Sequence, residues 1–128
     1  MTTDELTAAL HACAAGIYPL EAGVALLTAE GTFLRRIDFT SRFIEHSTGS
    51  GTAMAVIDWD AVITALQAGE LPCSGGERRV LMLSASLAGG IPVDLRDAAA
   101  GLDDRNIRRL VCAILHASGK RPESGIYR

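Results

Sequence analysis

The sequence predicts an all-α protein, an irregular single-domain bundle of six to seven short helices. Three observations predict it. Between Ser74 and Gly119, residues that start and stop helices alternate, with almost nothing that favours a strand. Apolar residues recur at i, i+3 and i+4 in most segments between those signals, the period of a one-sided helix. Aromatic residues make up only 5% of the chain, so Leu, Ile, Val and Ala must fill the core, and Ala is the best helix former.

Each element follows from its local chemistry. Thr2-Thr-Asp-Glu5 has capping-box spacing, and Leu6, Leu10 and Cys13 follow on one helical face before Gly16. Pro19 suits the first turn of a second helix carrying Leu20, Val24 and Leu27, which Gly31 stops. Phe33-Leu34 forms a connector, and Phe39, Phe43 and Ile44 a brief third helix starting near Asp38, with Arg35, Arg36 and Arg42 interleaved. Residues 47–52, Ser-Thr-Gly-Ser-Gly-Thr, read as a flexible loop. Ala53–Ile57 is the one strand-like segment, but it has no evident partner and is read as an extended lead-in. Asp58 then caps a helix from Trp59 to Ala68 with Val62, Ile63 and Leu66 on its apolar side. Ser74-Gly-Gly-Glu77 is a capping box for a helix carrying Val80, Leu81, Leu83 and Leu87, closed by Gly89-Gly90 and Pro92. Asp94 opens a short helix over Leu95–Ala100. The strongest stripe lies in 104–118, where Ile107, Leu110, Val111, Ile114 and Leu115 are expected to face a core. The domain thus spans 1–118, and 119–128 reads as a polar C-terminal tail.

Composition narrows the function classes. The 128 residues suit one domain, and 48% apolar against 21% charged residues exclude a disordered chain. A net charge of −3 gives no general attraction to nucleic acid or anionic membranes. Of the 12 basic residues only Lys120 is lysine, which reads as high-GC coding bias. Charge is nevertheless polarised: residues 1–30 hold Asp4, Glu5, Glu21 and Glu30 without a Lys or Arg, whereas 103–128 are rich in arginine. Three widely spaced cysteines (Cys13, Cys73, Cys112) suit reduced thiols. The acidic start is unlike a signal peptide and no apolar run reaches the roughly 18 residues of a membrane span, so a cytoplasmic protein is expected.

Three constellations carry possible chemistry, each with a plainer explanation. Cys73-Ser-Gly-Gly76-Glu-Arg-Arg79 resembles the Cys-x-x-Gly-x-x-Arg loop of protein tyrosine phosphatases, which would make Cys73 a nucleophile and Arg79 a phosphate ligand. Gln67-Ala-Gly-Glu-Leu-Pro72 stands where that family has a buried strand, and Val80 replaces its hydroxyl residue; Cys73 as a small apolar residue before the Ser74 cap explains the segment. Residues 95–115 resemble a degenerate helix-turn-helix with Gly101 at the turn and Arg105, Asn106, Arg108 and Arg109 positioned for DNA. Asp97 occupies a position usually small and apolar, and Asp103 and Asp104 would oppose phosphate while serving well as helix caps. Cys112 and His116, four residues apart, share a helix face with metal-binding spacing, but His11 and Cys13 diverge, and no metal or other cofactor is assigned. Arg78-Arg79-Val80-Leu81 and Arg108-Arg109-Leu110-Val111 echo one another; shared capping grammar explains the similarity of 78–92 to 108–122 as well as duplication does.

Leu20-Glu-Ala-Gly-Val-Ala-Leu-Leu27, Phe33-Leu-Arg-Arg36, Ile57-Asp-Trp59 and Leu71-Pro-Cys-Ser-Gly-Gly-Glu77 resemble uncharacterised small helical proteins of high-GC, actinobacterial-type bacteria. The resemblance covers most of 6–119, implies an intact single domain, and attaches no activity, substrate or site residue. The function expected is a non-enzymatic cytoplasmic interaction domain with a protein partner or a second copy of itself. A DNA-associated regulator is the alternative, and a thiol phosphatase-like enzyme at Cys73 and Arg79 the third.

Overall fold

Helix α1 (Thr3–Ala14) opens the fold under a Thr2 cap whose hydroxyl accepts the Glu5 backbone N–H at 3.1 Å. In the computed structural model, residues 1–49 and 51–120 are described. Helix α2 (Tyr18–Glu30) has Pro19 in its first turn and ends where Gly31 enters the left-handed region at φ 85°, its N–H bonded to the Leu27 carbonyl. A 3₁₀ turn (Phe33–Arg35) leads into α3 (Ile37–Phe43). Phe33, Phe39 and Phe43 stack in sequence with ring centroids 5.3 Å apart, concentrating the few aromatics in one wedge of the core.

The all-α expectation needs one correction. Ile44–Ser47 (β1) pairs antiparallel with Met54–Ile57 (β2), so the protein is predominantly helical with a two-stranded hairpin. Met54–Ile57 finds in the residues after Phe43 the partner its sequence did not reveal. Ile44 lies opposite Ile57, both buried, and the Asp58 N–H reaches the Phe43 carbonyl at 2.9 Å to close the ladder. Ile44 therefore leaves the helix it was expected to complete. The remaining residues of β1 are exposed and polar, which hid the strand. Residues 48–53 join the strands, with position 50 outside the described residues.

Helix α4 (Trp59–Gln67) starts from the Asp58 cap, whose carboxylate accepts the Ala61 N–H. Helix α5 (Gly75–Gly89) carries the full capping box: the Ser74 hydroxyl accepts from Glu77 N–H at 3.2 Å and the Glu77 carboxylate from Ser74 N–H at 2.8 Å. The peptide bond at Ser74 holds the Glu77 carboxyl below its ordinary pKa. Helices α6 (Leu95–Gly101) and α7 (Asp104–Ala117) start at Asp94 and Asp103 through the same type of bond. The tail expected beyond Gly119 lies outside the described residues from 121 onward.

Helix α2 separates two cores. The larger packs α1, the hairpin, α3, α4 and one side of α5 around Leu10, Leu27, Phe39, Val62 and Leu81. The smaller joins α2 to α5, α6 and α7 through Ala22, Leu26, Val80, Leu83, Ala98, Leu110 and Ala113. Where α2 crosses α5, a Cβ on Gly23 would stand 2.6 Å from Ala88 Cβ and 2.7 Å from the Ser84 carbonyl oxygen, so only glycine fits.

The stripe on α7 also departs from expectation. Leu110 and Ala113 are buried and Ala117 packs beside them, but Ile114 is 49% exposed and Ile107, Val111 and Leu115 are only half-buried. Among the described residues neither core takes up those four. At 3.6 residues per turn, the face seated on α2 lies about a quarter of a turn from the centre of the apolar stripe. Small side chains at 113 and 117 allow α7 to approach the Ala22 and Leu26 face of α2, and that contact sets the rotation of the helix.

Candidate functional site

Helices α2 and α7 enclose an open groove of about 580 Å³. Its apolar lining comes from Ala25, Leu26 and Ala29 on α2 and from Ala113 on α7; Arg105, Arg108 and Arg109 edge it, and Cys112 and His116 continue the same wall. The spacing of α7 explains the arrangement, because 105, 108, 109, 112 and 116 fall on one helix face at i, i+3 and i+4. On α2 the groove-facing positions 25 and 29 are alanines four residues apart, too short to fill the space opposite those long side chains.

Three of the four residues expected to contact DNA, Arg105, Arg108 and Arg109, thus come together. Arg108 Nε lies 3.3 Å from the Asp104 carboxylate, one helical turn back. Arg109 donates to the side-chain oxygen of Asn106 at 3.0 Å, and Asn106 gives its backbone N–H to the Asp103 cap. Asn106 is therefore engaged in holding Arg109 and the helix start. Among the described residues no carboxylate pairs with Arg105. Among the described residues, three guanidiniums and the Asp104 carboxylate line this stretch of the groove, although the whole chain is acidic.

At the opposite end, His116 Nε2 lies 2.7 Å from Glu21 Oε1, and Glu21 Oε2 accepts the Gly16 backbone N–H at 2.7 Å. That backbone bond, then His116, keeps the Glu21 carboxyl below its ordinary pKa. Tyr18 meets the His116 ring edge-on at a centroid distance of 6.0 Å. His116 thus serves to fasten α7 to the start of α2. Among the described residues no three His, Cys, Asp or Glu side chains converge as a metal site would require.

The helix-turn-helix geometry differs from its expectation at the turn. Gly101 ends α6 without entering the left-handed region, and α6 packs on α5 while α7 packs mainly on α2. Gly101 has another reason to be glycine: a Cβ there would stand 2.2 Å from Cζ and Nε of Arg79. Arg79 lies across the end of α6, its Nε 3.5 Å from the Asp97 carboxylate without hydrogen-bond geometry.

The Arg79 guanidinium lies between the start of its own helix, where a Cβ on Gly75 would stand 2.9 Å from Nη1, and the end of α6, while Cys73 packs against the larger core. Burial, then the neighbouring Glu77 carboxylate, pushes the thiol pKa up, the reverse of nucleophile activation. The hairpin, the one sheet among the described residues, lies elsewhere in the chain and does not lead into this loop.

No protein-family model, curated protein or solved structure matches this chain. No helix among the described residues is long and apolar enough to cross a membrane. The groove floor escaped the sequence reading because it depends on which face of α7 meets α2. The small-residue pair Ala25 and Ala29, four apart and beside the glycine at 23, was the signal available.

Proposed function

We propose that this chain is a non-enzymatic interaction domain that self-associates, with α7 of one copy packing against α7 of the next. One observation carries the reading: the most amphipathic helix of the fold leaves Ile107, Val111, Ile114 and Leu115 outside both cores. A symmetric pairing places the same patch on both copies, so a single helical stripe suffices to form the contact. Full burial of each such side chain contributes about 1.5–3 kcal/mol relative to exposure. A cytoplasmic setting accords with the odd number and wide spacing of the three cysteines. Membership of a small helical family of high-GC bacteria belongs to the same reading and rests on the sequence resemblance alone.

Light scattering coupled to size exclusion, across a hundredfold dilution series, tests it. The expected result is a mass above 13.5 kDa that falls with dilution, and a monomer for Ile114→Glu with unchanged helical circular dichroism. A strictly monomeric parent chain at high concentration removes the proposal.

A further inference from the structure

We propose that the groove between α2 and α7 binds a small amphipathic anion, an aliphatic chain ending in a carboxylate, with the chain against the alanines and the carboxylate at Arg105 and Arg109. The volume of about 580 Å³ falls within the roughly 300–1,000 Å³ of small-molecule sites. Its chemistry is divided as such a ligand requires. Ala25, Leu26, Ala29 and Ala113 provide a surface without a hydrogen-bonding side chain, suited to methylene groups. The cations stand together on the N-terminal half of α7, and the Asp104 carboxylate that lines the groove beside them lies 3.3 Å from Arg108 Nε.

The arginines are prepared to different degrees. Arg109 is half-buried and held by Asn106, so its guanidinium is oriented before a ligand arrives. Arg105 is exposed, with no carboxylate partner among the described residues. Guanidinium groups bind carboxylates through paired parallel hydrogen bonds, which favours a carboxylate over a neutral head group. A peptide or a duplex is the less fitting occupant: the floor is a narrow apolar strip between two helices, and the cations sit at one end of it.

The inference does not depend on self-association, because the apolar stripe lies on the other flank of α7. Isothermal titration of the full chain with dodecanoate, below its micelle concentration, is the test. Saturable binding is expected, with dodecanol about tenfold or more weaker, as loss of a charged hydrogen-bond pair implies. Arg105→Gln with Arg109→Gln should reduce dodecanoate affinity by a similar factor. Ala29→Leu, which fills the floor at an exposed helical position, should abolish binding while leaving the fold intact by circular dichroism. Ile114→Glu should bind as the parent does, even when monomeric. Three results would overturn the proposal: no saturable binding of dodecanoate, unchanged affinity in Ala29→Leu, or acetate binding as tightly as dodecanoate. Arginine-dependent binding of a short DNA duplex with no response to dodecanoate would overturn it too, in favour of phosphate recognition.

Discussion

Alanine at position 23 tests the contact on which the assembly of α2 and α5 depends. Gly23 lies in mid-helix with ordinary helical backbone, so helix propensity alone favours Gly23→Ala by about 1 kcal/mol. The structure opposes that gain. The new methyl would stand 2.6 Å from Ala88 Cβ, 2.7 Å from the Ser84 oxygen and 2.9 Å from Ala88 N. Carbon pairs are at ease near 3.5–4.0 Å, so about 1 Å is missing, and two of the three obstacles are backbone that no rotamer change can move. The helices must part, loosening both cores that share α2. Overpacking costs typically 1–3 kcal/mol, and a backbone clash on two sides belongs at or beyond the upper end. The net expectation is a loss of about 2 kcal/mol, or roughly 8 °C in Tm for a chain of this size. Urea denaturation followed by circular dichroism measures it. Gly76→Ala is the control, since a Cβ there meets nothing within 4 Å in the first turn of α5, and its midpoint should stay level or rise. A Gly23→Ala midpoint equal to or above that of the parent would refute the crossing geometry.

Other substitutions probe separate parts of the molecule. Ser84 is fully buried and its hydroxyl has no hydrogen-bond partner among the described residues, so Ser84→Ala should stabilise by about 1 kcal/mol in the same urea assay; destabilisation would show that the hydroxyl is bonded. The Glu21 carboxyl titrates below its ordinary pKa of 4.5 in the folded state, so its contribution is present above that value and disappears as pH falls through the lowered one. Glu21→Gln should therefore flatten the decline in stability below pH 4.5, and an unchanged acid limb would contradict the assignment. With its pKa raised, Cys73 should react slowly with iodoacetamide at pH 7.5 by peptide mapping; modification faster than that of a free thiol would revive the nucleophile reading. Gly101→Ala should displace the flexible end of Arg79 from α6 with little net change in the urea midpoint, and a loss above about 2 kcal/mol would show that the guanidinium is fixed there.

Much of the helical layout was legible because helix ends are written locally. Thr2, Asp58, Ser74, Asp94 and Asp103 each accept a backbone N–H three residues on, a bond that needs nothing beyond its own segment. Contacts between distant segments were not written that way. β1 presents one buried residue followed by exposed polar ones, and its existence depends on a partner ten residues later. The stripe of α7 was visible, but its orientation was set by Ala113, Ala117 and the small face of α2, so the expected core face emerged largely open. Of the groove, the arginines and the Cys112 and His116 pair stand out in the sequence by their spacing. Their common enclosure with Ala25 and Ala29 required the helix pairing.

The two cores on either side of α2 have a consequence for motion. Helix α7 is held by the smaller one, in which alanines alternate with leucines and a valine and no aromatic ring takes part, and by the Glu21–His116 link. With fewer large side chains holding it than the phenylalanine wedge supplies to the larger core, α7 should exchange its amides with deuterium at a lower free energy than α4. Anything that grips α7, whether a second chain or a small solute, would then register first as slowed exchange in that helix, before any change in the global melting point.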